Sequence, residues 1–96
     1  MRPSEILAAK ADQIREVIAR YPVRNPRVFG SAARGDDTEG SDLDLLVDPL
    51  ETTSLFDLAG LEIELTDLLG IEVEVVTPKG LAPDVARRVE LDVRPL

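Results

Sequence analysis

The sequence predicts a small α/β (α+β) domain in which a mixed β-sheet carries helices on one face. Three observations lead there. Segments whose apolar residues recur three and four apart alternate with short runs in which they recur every second residue. Proline and glycine stand at each change of period. The 96 residues, 44% hydrophobic and 31% charged, are enough for one core and too few for two, so residues 1–96 read as a single domain.

The first segment, Ser4 to about Tyr21, reads as a helix: Ser4 is a suitable N-cap, and Leu7, Ala11, Ile14, Ile18 and Tyr21 fall on one face. Pro22 and Pro26 end it. Arg27-Val28-Phe29 is a short strand closed by Gly30-Ser31, and Ser31 to Arg34 forms a helical turn that Gly35 stops. Asp36 to Ser41 is an acidic loop. From Asp42 to Asp48, Leu43, Leu45 and Val47 alternate with Asp42, Asp44 and Leu46, a strand pattern. Pro49 to Thr53 turns the chain.

A second long helix spans about Ser54 to Leu69, with Leu55, Leu58, Leu61, Leu65, Leu68 and Leu69 on its apolar face, Asp57 in its first turn and Gly70 as its stop. Ile71 to Val76 alternates again and is the third strand. Pro78 and Gly80 break it, and about Ala82 to Glu90 forms a last helix. The order α-β-(short α)-β-α-β-α needs a layered sheet-and-helix packing to bury its apolar faces.

Composition removes several function classes. There is no cysteine and no histidine, which excludes a disulfide scaffold, thiolate or imidazole metal sites and a Ser-His-Asp triad. The net charge is −8, and between Arg34 and Lys79 thirteen Asp and Glu occur with no Lys or Arg. Such a field repels a phosphate backbone, so direct nucleic-acid binding is not expected. The N-terminus lacks a signal-peptide core and no run reaches membrane-spanning length, so no membrane contact and a cytoplasmic location are expected.

The chemistry concentrates in Gly30-Ser31, ten residues, then Asp42-Leu43-Asp44. Residues i and i+2 of a strand share a face roughly 6.6 Å apart, so Asp42 and Asp44 lean over one place. Two adjacent carboxylates call for a cation or a proton between them, and hard oxygen ligands suit Mg²⁺. Glu74 joins them if the third strand pairs beside the second, a set suited to two metal ions. Gly30 lets the backbone approach a phosphate, Ser31 adds N–H and hydroxyl donors, and Arg34 is the one cation near the turn. Alone, each piece reads as a turn or a solvated strand residue. Together, Gly-Ser-x10-Asp-x-Asp arises by chance in about one chain in a thousand of this size at average composition.

At Val28-Phe29-Gly30-Ser31-Ala32-Ala33-Arg34-Gly35, Ser41-Asp42-Leu43-Asp44-Leu45-Leu46-Val47 and Val73-Glu74-Val75-Val76-Thr77-Pro78, the chain resembles the minimal nucleotidyltransferases of the DNA polymerase β-like superfamily. The resemblance covers nearly the whole chain. It implies an antitoxin partnered with a HEPN-domain RNase toxin, transferring AMP from ATP to a tyrosine of that toxin. It also implies that Asp42 and Asp44 bind two Mg²⁺ ions, that Glu74 completes the site, and that Gly30 and Ser31 hold the triphosphate. The chain departs from the family pattern at Glu74, where Asp is usual, and at Ala32, where a larger or basic residue is common. Both departures leave open an antitoxin that neutralises its toxin by binding alone. A transferase acting on a small molecule is the third reading, and 96 residues leave little structure to bind such an acceptor.

Overall fold

The structure, a computed structural model, describes residues 1–96. Helix α1 (Pro3–Ile18) opens with proline at its first position, where a missing N–H costs nothing, and Glu5 reaches back to the backbone N–H of Arg2 at 2.8 Å. Ser4, expected as the cap, therefore lies inside the first turn. Its N–H and hydroxyl donate instead to Asp37, at 2.8 and 2.9 Å. Asp37 is buried in the loop after the second helix, and the Ser4 N–H holds its carboxyl below the usual carboxylate range. This bond pins the acidic loop to the start of α1.

Strand β1 (Val23–Phe29) begins four residues before the expected Arg27. Pro26 does not stop it, because the pairing register shifts between Arg24 and Arg27 and Asn25 takes a left-handed conformation, φ 53°. A bulge is where a strand tolerates a residue without an N–H. Helix α2 (Ser31–Arg34) is a single turn ended by Gly35 in the left-handed region. Strand β2 (Leu43–Pro49) follows, with Asp42 at its entrance, then α3 (Leu55–Leu69) and β3 (Val73–Val76).

Ser54, expected as the first residue of this helix, is its cap: its hydroxyl accepts from the Asp57 N–H at 3.1 Å and the Asp57 carboxylate accepts from the Ser54 N–H at 2.9 Å. Leu55, expected on the buried face, is exposed instead, because the core closes only from Leu58 onward. Ser54→Ala is expected to cost about 1 kcal/mol, a fall of roughly 4–8 °C in the thermal midpoint of a domain this size, measurable by circular dichroism.

The sheet order is β3-β2-β1-β4, where β4 is the short tail Arg94–Pro95 pairing antiparallel with β1. Strands β1 and β2 are antiparallel, whereas β2 and β3 are parallel, joined by the crossover through α3 that parallel strands require. One face of the sheet (Val28, Leu43, Leu45, Val47, Val73, Val75) packs on Ile14, Val17 and Ile18 of α1 and Leu61, Leu65 and Leu69 of α3. Burying each such side chain is worth about 1.5–3 kcal/mol, and this single cluster holds the domain together.

The outer edge of β3 is closed by α3: Glu62 accepts from the Val75 N–H at 3.0 Å and Thr66 from the Val73 N–H at 3.3 Å. That blunts an edge that would otherwise template pairing with another chain. The mixed sheet with helices is as expected, with α1 and α3 on one face. The last helix, α4 (Pro83–Asp92), differs. It lies against the opposite face, where Leu46 meets Leu81, Ala86, Val89 and Val93. No helix is long and apolar enough to cross a membrane.

Candidate active site

The face that α4 only partly covers is built in rows across the strands. Phe29 pairs with Asp44, and Asp44 pairs with Glu74, so these three stand side by side across β1, β2 and β3. The next row, Arg27, Leu46 and Val76, lies near α4. The acidic row is therefore the end of this face that the last helix leaves open.

Gly30, directly after Phe29, sits against Asp44. Its backbone has φ 74° and ψ −155°, a combination open essentially to glycine. A β-carbon at this position would stand 2.6 Å from Asp44 Oδ2. Position 30 thus requires glycine twice, for its torsion angles and for the space the carboxylate takes. The Gly30 carbonyl accepts from the N–H groups of Ala33 and Arg34, each at 3.1 Å. This closes the α2 turn and leaves the first N–H groups of that turn without intrahelical acceptors, a natural seat for anionic oxygen.

The carboxylates are not equivalent. Asp44 is half-buried, Asp42 and Glu74 are exposed. Burial, then the charge of Glu74, then that of Asp42 and a hydrogen bond with Glu74 push the Asp44 carboxyl up to about 6, against a smaller opposing effect of Arg34. Asp44 and Glu74 thus stand side by side on paired strands, while Asp42 acts on Asp44 through its charge. No three carboxylates converge into a ready-made cage for an ion. Mg²⁺ does not need one, since it keeps several waters and shares phosphate oxygens. The donor set fits such an ion: hard oxygens only, with like charges held close together around a half-buried carboxyl.

Arg34 stands at the flank of this site and is already engaged. Its guanidinium donates to Asp36 at 3.2 Å and to Asp92, at the end of α4, at 2.7 Å. Arg94 of β4 donates to the Ala33 carbonyl at 2.8 Å. Asp92 and Arg94 are the residues that sequence reasoning missed. They come from the far end of the chain, 58 positions beyond Arg34 for Asp92, and no local pattern marks them. Between them the α4–β4 segment fixes where α2 and its glycine turn stand relative to the acidic row.

Comparison with known proteins identifies relatives of the chain and of its fold. A family model described as "Nucleotidyltransferase domain" matches residues 11–96. The protein adenylyltransferase MntA of Thermococcus cleftensis is 41% identical over 88 residues, covering 92% of this chain and 86% of that protein. A solved structure described as a "putative minimal nucleotidyltransferase" superposes with a TM-score of 0.84 at 42% identity, over 97% of this chain and 95% of the other. A tri-AMPylated HEPN toxin of Shewanella oneidensis in complex with its MNT antitoxin contains a similar fold, at TM-score 0.65 and 17% identity, over 96% of this chain and 70% of that one.

Proposed function

The chain belongs to the nucleotidyltransferase domain family, and from that premise we propose that it is an antitoxin enzyme. It transfers AMP from Mg²⁺-ATP to a tyrosine of a cognate HEPN-domain RNase toxin in the cytoplasm and so silences it. The observation that carries this reading is the convergence of three separate segments on one spot. Gly30 lies against Asp44, and Asp44 lies beside Glu74 in the adjacent strand.

In the proposed reaction the Gly30-Ser31 turn holds the triphosphate through its free N–H groups and the Ser31 hydroxyl. The half-buried Asp44, supported by Asp42 and Glu74, would hold Mg²⁺, two ions with the triphosphate present. Bound Mg²⁺ supplies charge neutralisation of the triphosphate and polarises the phosphoryl group. The toxin tyrosine oxygen forms a bond to the α-phosphorus as the bond from that phosphorus to the β-phosphate oxygen breaks, and pyrophosphate departs. Glu74, at the exposed edge of the row, accepts the phenolic proton. No histidine is needed, because position and electrostatics supply most of the acceleration in phosphoryl chemistry. Arg34 contacts the triphosphate only by loosening its bond to Asp92.

The acidic stretch from residue 35 to residue 78 argues against the toxin's RNA as a direct ligand and for a basic protein surface as the partner. One specific observation keeps a second reading alive, neutralisation by binding alone. Glu74 stands beside Asp44 in the adjacent strand, and its extra methylene alters where the third carboxylate meets an ion.

The test is incubation of the protein with α-labelled ATP, Mg²⁺ and the purified toxin, beside the Asp42→Ala/Asp44→Ala double variant. Label is expected on the toxin with wild type and absent with the variant, a loss of at least about 10³-fold. Label transfer surviving the double change sinks the mechanism. A complex that forms and blocks the RNase without any label makes the protein a binding antitoxin.

A further inference from the structure

Helix α3 is apolar on more than its core face. Leu61, Leu65 and Leu69 are buried, yet Leu55, Phe56 and Ile63 are 83%, 88% and 63% exposed. Phe56 and Ile63 are seven residues apart, two turns of helix, with Ala59 between them. They form a stripe opposite the core rather than scattered single residues. A helix that is apolar on both faces is one that gets covered.

Charge says by what. The residues of α3 include four carboxylates and no Lys or Arg; the basic groups that reach the helix come from the α1 side, Arg20 pairing with Glu64 at 2.6 Å and Lys10 donating to the Leu68 carbonyl at 3.2 Å. Exposed Asp67 lies one turn beyond Ile63, and exposed Glu51 lies in the turn leading into the helix. A second copy of this chain docking the same face on itself would set these carboxylates against their own counterparts. A surface that places an apolar centre among Lys and Arg matches it.

The stripe faces away from the sheet and the acidic row lies on the sheet's other face, so the two share only the β3 edge. Glu62, next to Ile63, holds the N–H of Val75, and Val75 follows Glu74. A protein that covers the outer face of α3 and presents a tyrosine to the acidic row therefore wraps around the β3 edge, which Glu62 and Thr66 line.

We propose that the Leu55-Phe56-Ile63 face of α3 is the docking surface for the protein that receives AMP, through an apolar patch on that partner ringed by basic residues. This rests on the adenylyl-transfer reading above and adds to it how the acceptor is recognised. Affinity comes from the buried aromatic and aliphatic anchors, and the acidic rim sets orientation and on-rate.

The experiment is calorimetric titration of the toxin into the full-length protein, comparing wild type, Phe56→Ser/Ile63→Ser and Phe56→Leu. Mg²⁺-ATP affinity and sedimentation behaviour are measured in parallel. The double variant is expected to lose about 30-fold or more in toxin affinity. Phe56→Leu is expected to keep most of it, ATP affinity is expected to be unchanged, and wild-type binding is expected to weaken with salt. Equal toxin affinity of the double variant and wild type overturns the docking face while leaving the proposed function standing. Wild type that binds no toxin overturns both. Wild type that sediments as a dimer, with the double variant monomeric, assigns the face to a second copy instead and also overturns the proposal.

Discussion

Asp44→Asn is expected to abolish AMP transfer and, in the same molecule, to make the metal-free protein more stable at neutral pH. The activity loss follows from removing the one half-buried carboxylate of the acidic row, about 10³-fold or more in turnover. The stability gain follows from the direction of the pKa change. The Asp44 carboxyl titrates at about 6 in the fold and at 3.8 in its ordinary state. Below the lower value it is protonated whether the chain is folded or not, and contributes nothing. As pH rises toward 6 the unfolded chain sheds the proton first, so the fold loses stability, and above 6 the full cost of burying the charge, with the repulsion by Glu74 and Asp42, remains.

Asparagine never acquires that charge. With solvent screening allowed for, the gain is about 1–2 kcal/mol at pH 7, an increase of several degrees in melting temperature that shrinks to nothing near pH 4. Magnesium is expected to raise the melting temperature of wild type at pH 7, to do so less at pH 5 where protons compete, and to do little for the variant. Differential scanning fluorimetry across pH, with and without MgCl₂, reads all of this. Equal pH profiles for wild type and Asp44→Asn in the absence of metal would show that Asp44 is not under the repulsion described.

Gly30→Ala is the second large effect, and Gly35→Ala is its control. Both glycines have positive φ, 74° and 82°, so each replacement strains the backbone by about 1–3 kcal/mol. Only at position 30 does the new methyl meet something, Asp44 Oδ2 at 2.6 Å, whereas nothing lies within 4 Å of a β-carbon at position 35. Gly30→Ala is therefore expected to displace the central carboxylate or the phosphate-binding turn, with at least about a 10²-fold loss of AMP transfer for a shift near 1 Å. Gly35→Ala is expected to lower the melting temperature by a comparable amount while transfer stays within a few-fold of wild type. Equal activity losses in the two variants would mean that strain alone, not the closeness of Gly30 to Asp44, limits the reaction.

Much of this architecture is legible along the chain because its local signals agree. The glycines at 35 and 70, the Ser54-Asp57 capping pair and the alternation of Leu43, Leu45 and Val47 each specify an element through backbone chemistry that neighbours do not override. The misreadings occur where a partner distant in sequence intervenes. Ser4 is a good cap by type, but Pro3 occupies the first helical position and Asp37, 33 residues away, takes the Ser4 donors. Pro22 and Pro26 read as the end of the first helix with the strand starting at Arg27, yet a bulge lets β1 run from Val23 through Pro26.

For the site the division is the same. Residue types and spacing alone put Gly30, Ser31, Asp42 and Asp44 forward as one group, because a strand's two-residue period puts two aspartates on one side and a glycine turn precedes them. Only the tertiary structure decided that Glu74 stands next to Asp44, since the pairing of β2 with β3 is set by the α3 crossover and the buried leucines and valines beneath it. It also decided that Arg34 is tied to Asp92 rather than free, and that the outer face of α3 is left bare. Period and turn chemistry act over a few residues and can be read in order. Which strand lies beside which, and which face stays uncovered, depends on how the whole core closes, and no short window of sequence carries that.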